Sequence, residues 1–197
     1  MMNNNIGIPT IGARGLQFRS RLEAQWSYVF TELNWNWEYE PYDLIAYTPK
    51  FIVVFDDGNE LLIDVKSIMN IWENDNEECD DLVKKIQSSG WKKKFMIVGA
   101  NVRLGHGVSV GIIGGFGDDI DDSRVHYFLV NPVVVLNTID EIWSIIDNSS
   151  GSDSYDIGLN NGEKLDHHTL IHADTQTLFQ QIWTKSKNMT QWKKKSK

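Results

Sequence analysis

FIVVFDDGNELLIDVK, residues 51–66, reads as a β-hairpin. Two runs rich in β-branched and aromatic residues, Phe51–Phe55 and Leu61–Val65, flank the turn residues Asp56, Asp57, Gly58 and Asn59. The second run alternates, so Leu61, Ile63 and Val65 share one face while Leu62, Asp64 and Lys66 share the other. Asp-Asp-Gly suits a three-residue loop, a type I turn closed by Gly58 in the left-handed region. With 56–58 as the loop, Phe55 pairs with Asn59 and the register carries Lys50 to a position opposite Asp64. A loop one residue longer would send Lys50 to the other face. A carboxylate and an ammonium on one strand face can hold a metal ion and steady an attacked phosphate. They can equally form an ordinary ion pair on an exposed sheet.

Ahead of the hairpin, Ser20 stands three residues before Glu23, the capping-box spacing. Leu22, Trp26, Val29, Phe30 and Leu33 then recur at helical spacing. Arg19, Arg21 and Glu23 gather at the start of this helix, where Glu23 reads first as the reciprocal cap of Ser20. Trp35–Glu40 predicts a strand with Trp35, Trp37 and Tyr39 on one face and Asn36, Glu38 and Glu40 on the other. Pro41 and Asp43 end it, and Tyr47–Phe55 is the next expected strand, with Pro49 near its start.

Beyond the hairpin, residues 73–81 hold six acids and lead into a helix, with Asn76 as a candidate cap, Leu82, Val83 and Ile86 as its buried face and Gly90 as its stop. Phe95–Val98 reads as a short strand. Residues 99–117 hold seven Gly; the run Gly105–Gly111 misses the dinucleotide-binding spacing because residue 110 is Val, so a glycine-rich loop and strand is expected. Asp118–Asp122 reads as a loop tip without calcium-loop spacing, and Val125–Val130 as a strand. Thr138 and Glu141 form a second capping box, predicting a helix that buries Ile139, Ile142, Trp143 and Ile146. Residues 148–164 are a polar loop or insertion. His168 and His172, near His167, would share a helix face as metal ligands do, with no third ligand in view. A last helix near Asp174–Lys187 is expected to bury Leu178, Phe179, Ile182 and Trp183. The implied organisation is an irregular arm at 1–17, a domain at 18–187 and a Lys-rich tail at 188–197.

The chain has 197 residues, 41% of them hydrophobic, with eight Trp, enough for one domain with a full core. Cys79 is the single cysteine, which excludes an intramolecular disulfide and a Cys-based zinc site. No run of 18 apolar residues predicts a membrane span, and MMNNNIGIPT carries no secretory signal pattern, so an intracellular setting, host cell or virion, is expected. The formal charge of −8 is uneven: residues 175–197 carry six Lys and no acid, leaving 13 basic and 27 acidic residues elsewhere. An acidic body of this kind is unlike a simple duplex binder.

The order helix, strand, hairpin with Asp-x-Lys, helix, strand resembles the core of the PD-(D/E)XK nuclease superfamily. Four segments carry the resemblance: Phe18–Ala24, Trp37–Pro41, Tyr47–Phe51 and Ile63–Lys66. They are similar to those of small nuclease-like proteins of phages and large DNA viruses. The resemblance implies a restriction-endonuclease-like α/β fold, a mixed central sheet flanked by helices, with Mg²⁺- or Mn²⁺-dependent cleavage of phosphodiesters, in DNA first. It makes Glu23, Asp64 and the Val65 carbonyl metal ligands and Lys66 the residue that orients water or stabilises the attacked phosphate. Arg19 and Arg21, with Lys193, Lys194 and Lys195 of the tail, are the expected nucleic-acid contacts. One departure is central. The Pro-Asp dipeptide that such sites use is Pro49-Lys50 here, so Lys50 joins the catalytic set as a cation where a metal-bridging acid is expected. At about 4 Å and an effective dielectric near 20, one charge pair is worth roughly 4 kcal/mol before desolvation. Either the chain is a degenerate relative, or Lys50 is an inactivating change, or another acid substitutes, with Asp43, Glu40 and Asp56 as candidates. Metal could then be absent from this form. The expectation is an impaired nuclease; the alternative is a non-catalytic nucleic-acid-associated or virion structural protein on the same fold.

Overall fold

The computed structural model describes residues 10–55, 58–71, 77–104, 108–116, 127–130, 132–137, 142–147, 156–157 and 173–190. The hairpin lies within the sheet, with strands paired on both sides of it. Strands β4 (Phe51–Val54) and β5 (Glu60–Val65) pair antiparallel with Phe51 opposite Ile63 and Val54 opposite Glu60. The Phe55 amide donates to the Asn59 carbonyl at 2.9 Å and Gly58 takes φ +80. This is the register that sets Lys50 across from Asp64, as the three-residue loop requires.

Strand β3 (Trp37–Tyr39) adds to β4 as an edge. On the other side helix α2 (Glu77–Ser88) carries the chain over to β6 (Phe95–Leu104), which lies parallel to β5. A parallel pair needs such a crossover. Strand β7 (Val108–Phe116) returns antiparallel to β6. A Cβ at Gly111 would run into the Ile97 carbonyl oxygen, so the close approach here requires glycine. β8 (Tyr127–Val130) and β9 (Pro132–Asn137) pair successively with β7, and β10 (Ile142–Asp147) and β11 (Asp156–Ile157) extend the sheet, whose order runs β11-β10-β9-β7-β6-β5-β4-β3.

The two sheet faces are covered differently. Phe51, Val53, Leu61, Ile63 and Val65 pack with Trp26 and Phe30 of α1 (Arg21–Glu32) and with Phe179 and Trp183 of α3 (Ala173–Met189). Trp26 and Trp183 meet at 5.0 Å between ring centroids, and the Trp26 indole N–H donates to the Gly99 carbonyl at 2.9 Å. On the opposite face Ile52, Leu62, Phe95 and Ile97 pack against Leu82, Val83 and Ile86 of α2. The result is a mixed α/β fold with a central sheet flanked by helices. Each fully buried Phe or Leu in these layers contributes roughly 1.5–3 kcal/mol by burial.

Several sequence expectations are corrected. Within the expected arm, the described residues 10–17 are not irregular throughout: β1 (Thr10–Ile11) pairs with β2 (Gln17–Phe18), and the Ala13 amide donates to Ser27 Oγ of α1 at 3.0 Å. The strand expected from Tyr47 starts at Phe51, because Tyr47 instead exchanges backbone hydrogen bonds with Leu44 around a turn with Ala46 at φ +52. In the glycine-rich region the described residues 99–104 and 108–116 are strand, as the strand part of the expectation has it, and β6 runs to Leu104, past the expected Val98. The helix expected after Thr138 is strand β10: Ile142–Asp147 pairs residue by residue with β9, and its β-branched run suits a ladder as well as a helix stripe. Leu178, expected buried in the last helix, is exposed, while Phe179 and Trp183 are buried as expected. The last helix, expected near Asp174–Lys187, spans Ala173–Met189. Asn76, the Asp118–Asp122 tip, the three His residues and Lys193, Lys194 and Lys195 lie outside the described residues.

Candidate functional site

Ser20 caps α1, its Oγ accepting from the Glu23 amide at 3.1 Å. The reciprocal half of the capping box is shifted by one residue: Glu23 Oε2 accepts from the Arg19 amide at 3.2 Å. The same oxygen accepts from the Tyr39 hydroxyl at 2.6 Å, and Glu23 is buried. Burial, then this hydrogen bond, pushes the Tyr39 hydroxyl far above its usual range, so it stays protonated and donates. Glu23 is therefore a local cap and also a tie between α1 and β3.

Asp64 belongs to the other face of the sheet. It alternates with Ile63 and Val65, which pack on the α1 side, and so shares the Leu62 face. It is only 4% exposed. Its Oδ2 accepts from the Tyr47 hydroxyl at 2.8 Å and its Oδ1 from the Val65 amide at 2.7 Å. Burial pushes the Asp64 carboxyl above the ordinary aspartate value, against the Tyr47 hydrogen bond, the charge of Lys66, the Val65 amide and the charge of Lys50, all of which pull it down. Burial, reinforced by Asp64, likewise raises the Tyr47 hydroxyl far above its usual range.

Lys50 fills the position that the register predicts, but its ammonium is bonded to Glu40 Oε1 at 3.1 Å. Glu40 Oε2 takes Arg19 at 2.9 Å. Glu40 is thus clamped between two cations and sits at φ +46, a conformation held by its amide donating to the Lys50 carbonyl at 2.9 Å. Of the other candidate substitute acids, Asp43 accepts from Thr48 Oγ1 at 3.3 Å and Asp56 lies outside the described residues.

The structure thus brings Lys50, Asp64 and Lys66 into one electrostatic neighbourhood, with Arg19 and Glu40 at its edge. Glu23 is joined to Tyr39 in the α1 layer, on the other side of the sheet from Asp64. Among the described residues no group of three His, Cys, Asp or Glu is placed to hold a metal ion. Mg²⁺ prefers six oxygen ligands at about 2.0–2.1 Å. As arranged, these side chains do not fit it: Glu23 and Asp64 are each turned onto protein donors, and two ammonium groups act on Asp64. Arg21 reaches the Lys187 carbonyl at 3.5 Å rather than joining Arg19.

Sequence reasoning missed Tyr39 and Tyr47, which complete the two buried carboxylates. A tyrosine is a common partner for a buried acid because its hydroxyl satisfies a lone pair without adding charge, but nothing in the spacing announces it. No family model matches the chain, and neither the curated proteins nor the solved structures compared with it give a match.

Proposed function

We propose that this chain is a nuclease-like protein of PD-(D/E)XK type, restriction-endonuclease-like in fold, that associates with nucleic acid, DNA foremost, and is impaired in metal-dependent phosphodiester cleavage. The order α1, β3, β4, β5, α2, β6, with β5 and β6 parallel, supports the fold part of this reading. So does the seat of Asp64 and Lys66 at the end of the second hairpin strand. The observation that carries the impairment is the Lys50–Glu40 ion pair at the register position facing Asp64. An ammonium there repels a divalent cation, and Glu40, a candidate substitute acid, is already neutralised on both oxygens.

The test is a plasmid-nicking assay with Mg²⁺ and Mn²⁺ on the natural chain and on Lys50→Asp, with calorimetric titration of Mn²⁺ alongside. The natural chain should nick at or near background, and Lys50→Asp should bind Mn²⁺ at least about tenfold more tightly, because the site gains two units of negative charge. Robust Mg²⁺-dependent nicking by the natural chain, abolished by Asp64→Asn, would refute the impairment. Equal Mn²⁺ affinity of the two forms would remove position 50 from the site and the nuclease reading of this strand face with it.

A further inference from the structure

Residues 82–94 carry five Lys, at 84, 85, 92, 93 and 94, and no acid, in a chain of net charge −8. They form the last turns of α2 and the connection into β6. We propose that this surface binds the phosphate backbone of nucleic acid, with Lys85 and Lys92 as its principal contacts. The proposal rests on the nucleic-acid association read above and assigns it a location away from Arg19, Arg21 and the tail.

The helix itself explains part of the charge. Six acids at 73–81 precede the helix or open it, and lysines near its end complement the dipole. That benefit fades within the last turn, so it accounts for Lys85 but not for the three lysines after Gly90. Local acids cover only some of them: Lys84 meets Asp81 at 3.6 Å and Lys93 meets Glu60 at 2.7 Å. Among the described residues, neither Lys85 nor Lys92 is paired with a carboxylate. By contrast, Arg19 is held by Glu40 and Arg21 by a carbonyl.

The connection is also held rigidly, which lowers the entropic cost of binding. Gly90 takes φ +85 to end the helix. Ser89 Oγ donates to the Ile86 carbonyl at 2.6 Å, and the buried Trp91 donates its indole N–H to the Lys94 carbonyl at 3.0 Å. The Leu62 amide takes the same carbonyl at 3.3 Å, which ties the turn to β5. Lys84, Lys85, Lys92 and Lys93 are exposed around this frame. Trp-Lys-Lys-Lys at 91–94 recurs letter for letter at 192–195, outside the described residues. Nucleic acid is favoured over an anionic membrane because no large apolar side chain is exposed anywhere in 82–94, so nothing is available to enter a bilayer.

The experiment is fluorescence anisotropy of a labelled random-sequence DNA duplex and a single strand against the full chain, between 50 and 200 mM NaCl. Lys85→Gln/Lys92→Gln should weaken binding about tenfold or more at the lowest salt and reduce the slope of log affinity against log salt by about 2, since each phosphate contact contributes about 0.9. Lys185→Gln, on α3 and already paired with Glu32, should leave that slope unchanged. Binding with the same slope in the double variant would overturn this location while leaving nucleic-acid association standing. No binding of the natural chain to either DNA would overturn both, and the Mn²⁺ titration of Lys50→Asp would still judge the site separately. Binding to phosphatidylserine vesicles with none to DNA would overturn the proposal in favour of a membrane surface.

Discussion

Strand β5 carries two tyrosine–carboxylate pairs, four residues apart and on the same face. Tyr47 donates to Asp64 at one end and Tyr42 donates to Glu60 at the other, at 2.8 and 3.0 Å. Both tyrosines come from the segment between β3 and β4, so the pairs fasten that segment along the strand, over roughly 13 Å at 3.3 Å per residue. The donor and acceptor chemistry is the same, yet the two acids are displaced in opposite directions. Asp64 is buried, and burial raises its carboxyl despite two cations nearby. Glu60 faces water beside Lys93, whose hydrogen bond lowers it. A tyrosine hydrogen bond of given geometry therefore does not fix the sign of a shift; burial sets it at Asp64 and the Lys93 ammonium sets it at Glu60.

The comparison predicts unequal costs. Tyr47→Phe should destabilise the protein by about 1–3 kcal/mol, because it leaves a buried carboxylate oxygen without its donor. Urea unfolding followed by circular dichroism measures this. A loss below about 0.5 kcal/mol would mean that water reaches Asp64 as easily as it reaches Glu60.

The next effect is a slope with pH. Because the folded Asp64 carboxyl titrates above its ordinary value of 3.8, the native state binds this proton more tightly than the unfolded chain. Stability from this group is then greatest below the ordinary value, declines as pH rises towards the raised folded value, and is level beyond it. Asp64→Asn removes the titration, so the variant should gain stability relative to the natural chain as pH rises from about 4. Unfolding free energies of both forms across that range provide the check. A difference that stays flat would mean that folding leaves the Asp64 titration unshifted, and one that moves the other way would place Asp64 in a site that stabilises its charge, as a metal site must.

Much of the hairpin half was legible in the sequence. The alternation Leu61–Lys66 and the Asp-Asp-Gly turn set the strand faces and the Lys50–Asp64 register, because a strand with one apolar core face has few registers that satisfy it. The later strands were less legible: Ile142, Trp143 and Ile146 fit a helix stripe and a ladder alike, and the pairing with β9 decided between them. The site was half legible. The positions of Asp64 and Lys50 followed from local pairing, whereas the partners Tyr39, Tyr47 and Glu40 come from segments that only the tertiary fold brings into contact. The lysines of 84–94 were visible as letters, but their significance depends on the rigid turn that displays them.

The smallest effect belongs to the exposed pair and separates its two partners. Tyr42→Phe should cost less than about 0.5 kcal/mol, since water replaces the lost donor at Glu60. The pH behaviour is more informative. Glu60 titrates below its ordinary value when folded, so its contribution is present above that ordinary value and is lost as pH falls through the lowered one. Lys93 is the largest cause and Tyr42 a lesser one. Tyr42→Phe should therefore retain most of this acid-side loss, whereas Lys93→Gln should flatten it. Glu60→Gln supplies the reference in which it is absent altogether. Unfolding curves at successive pH values below neutrality distinguish the three. If Tyr42→Phe flattens the profile as fully as Lys93→Gln, the hydroxyl rather than the ammonium governs Glu60. The two ends of β5 would then differ in burial alone, without the added influence of a neighbouring charge.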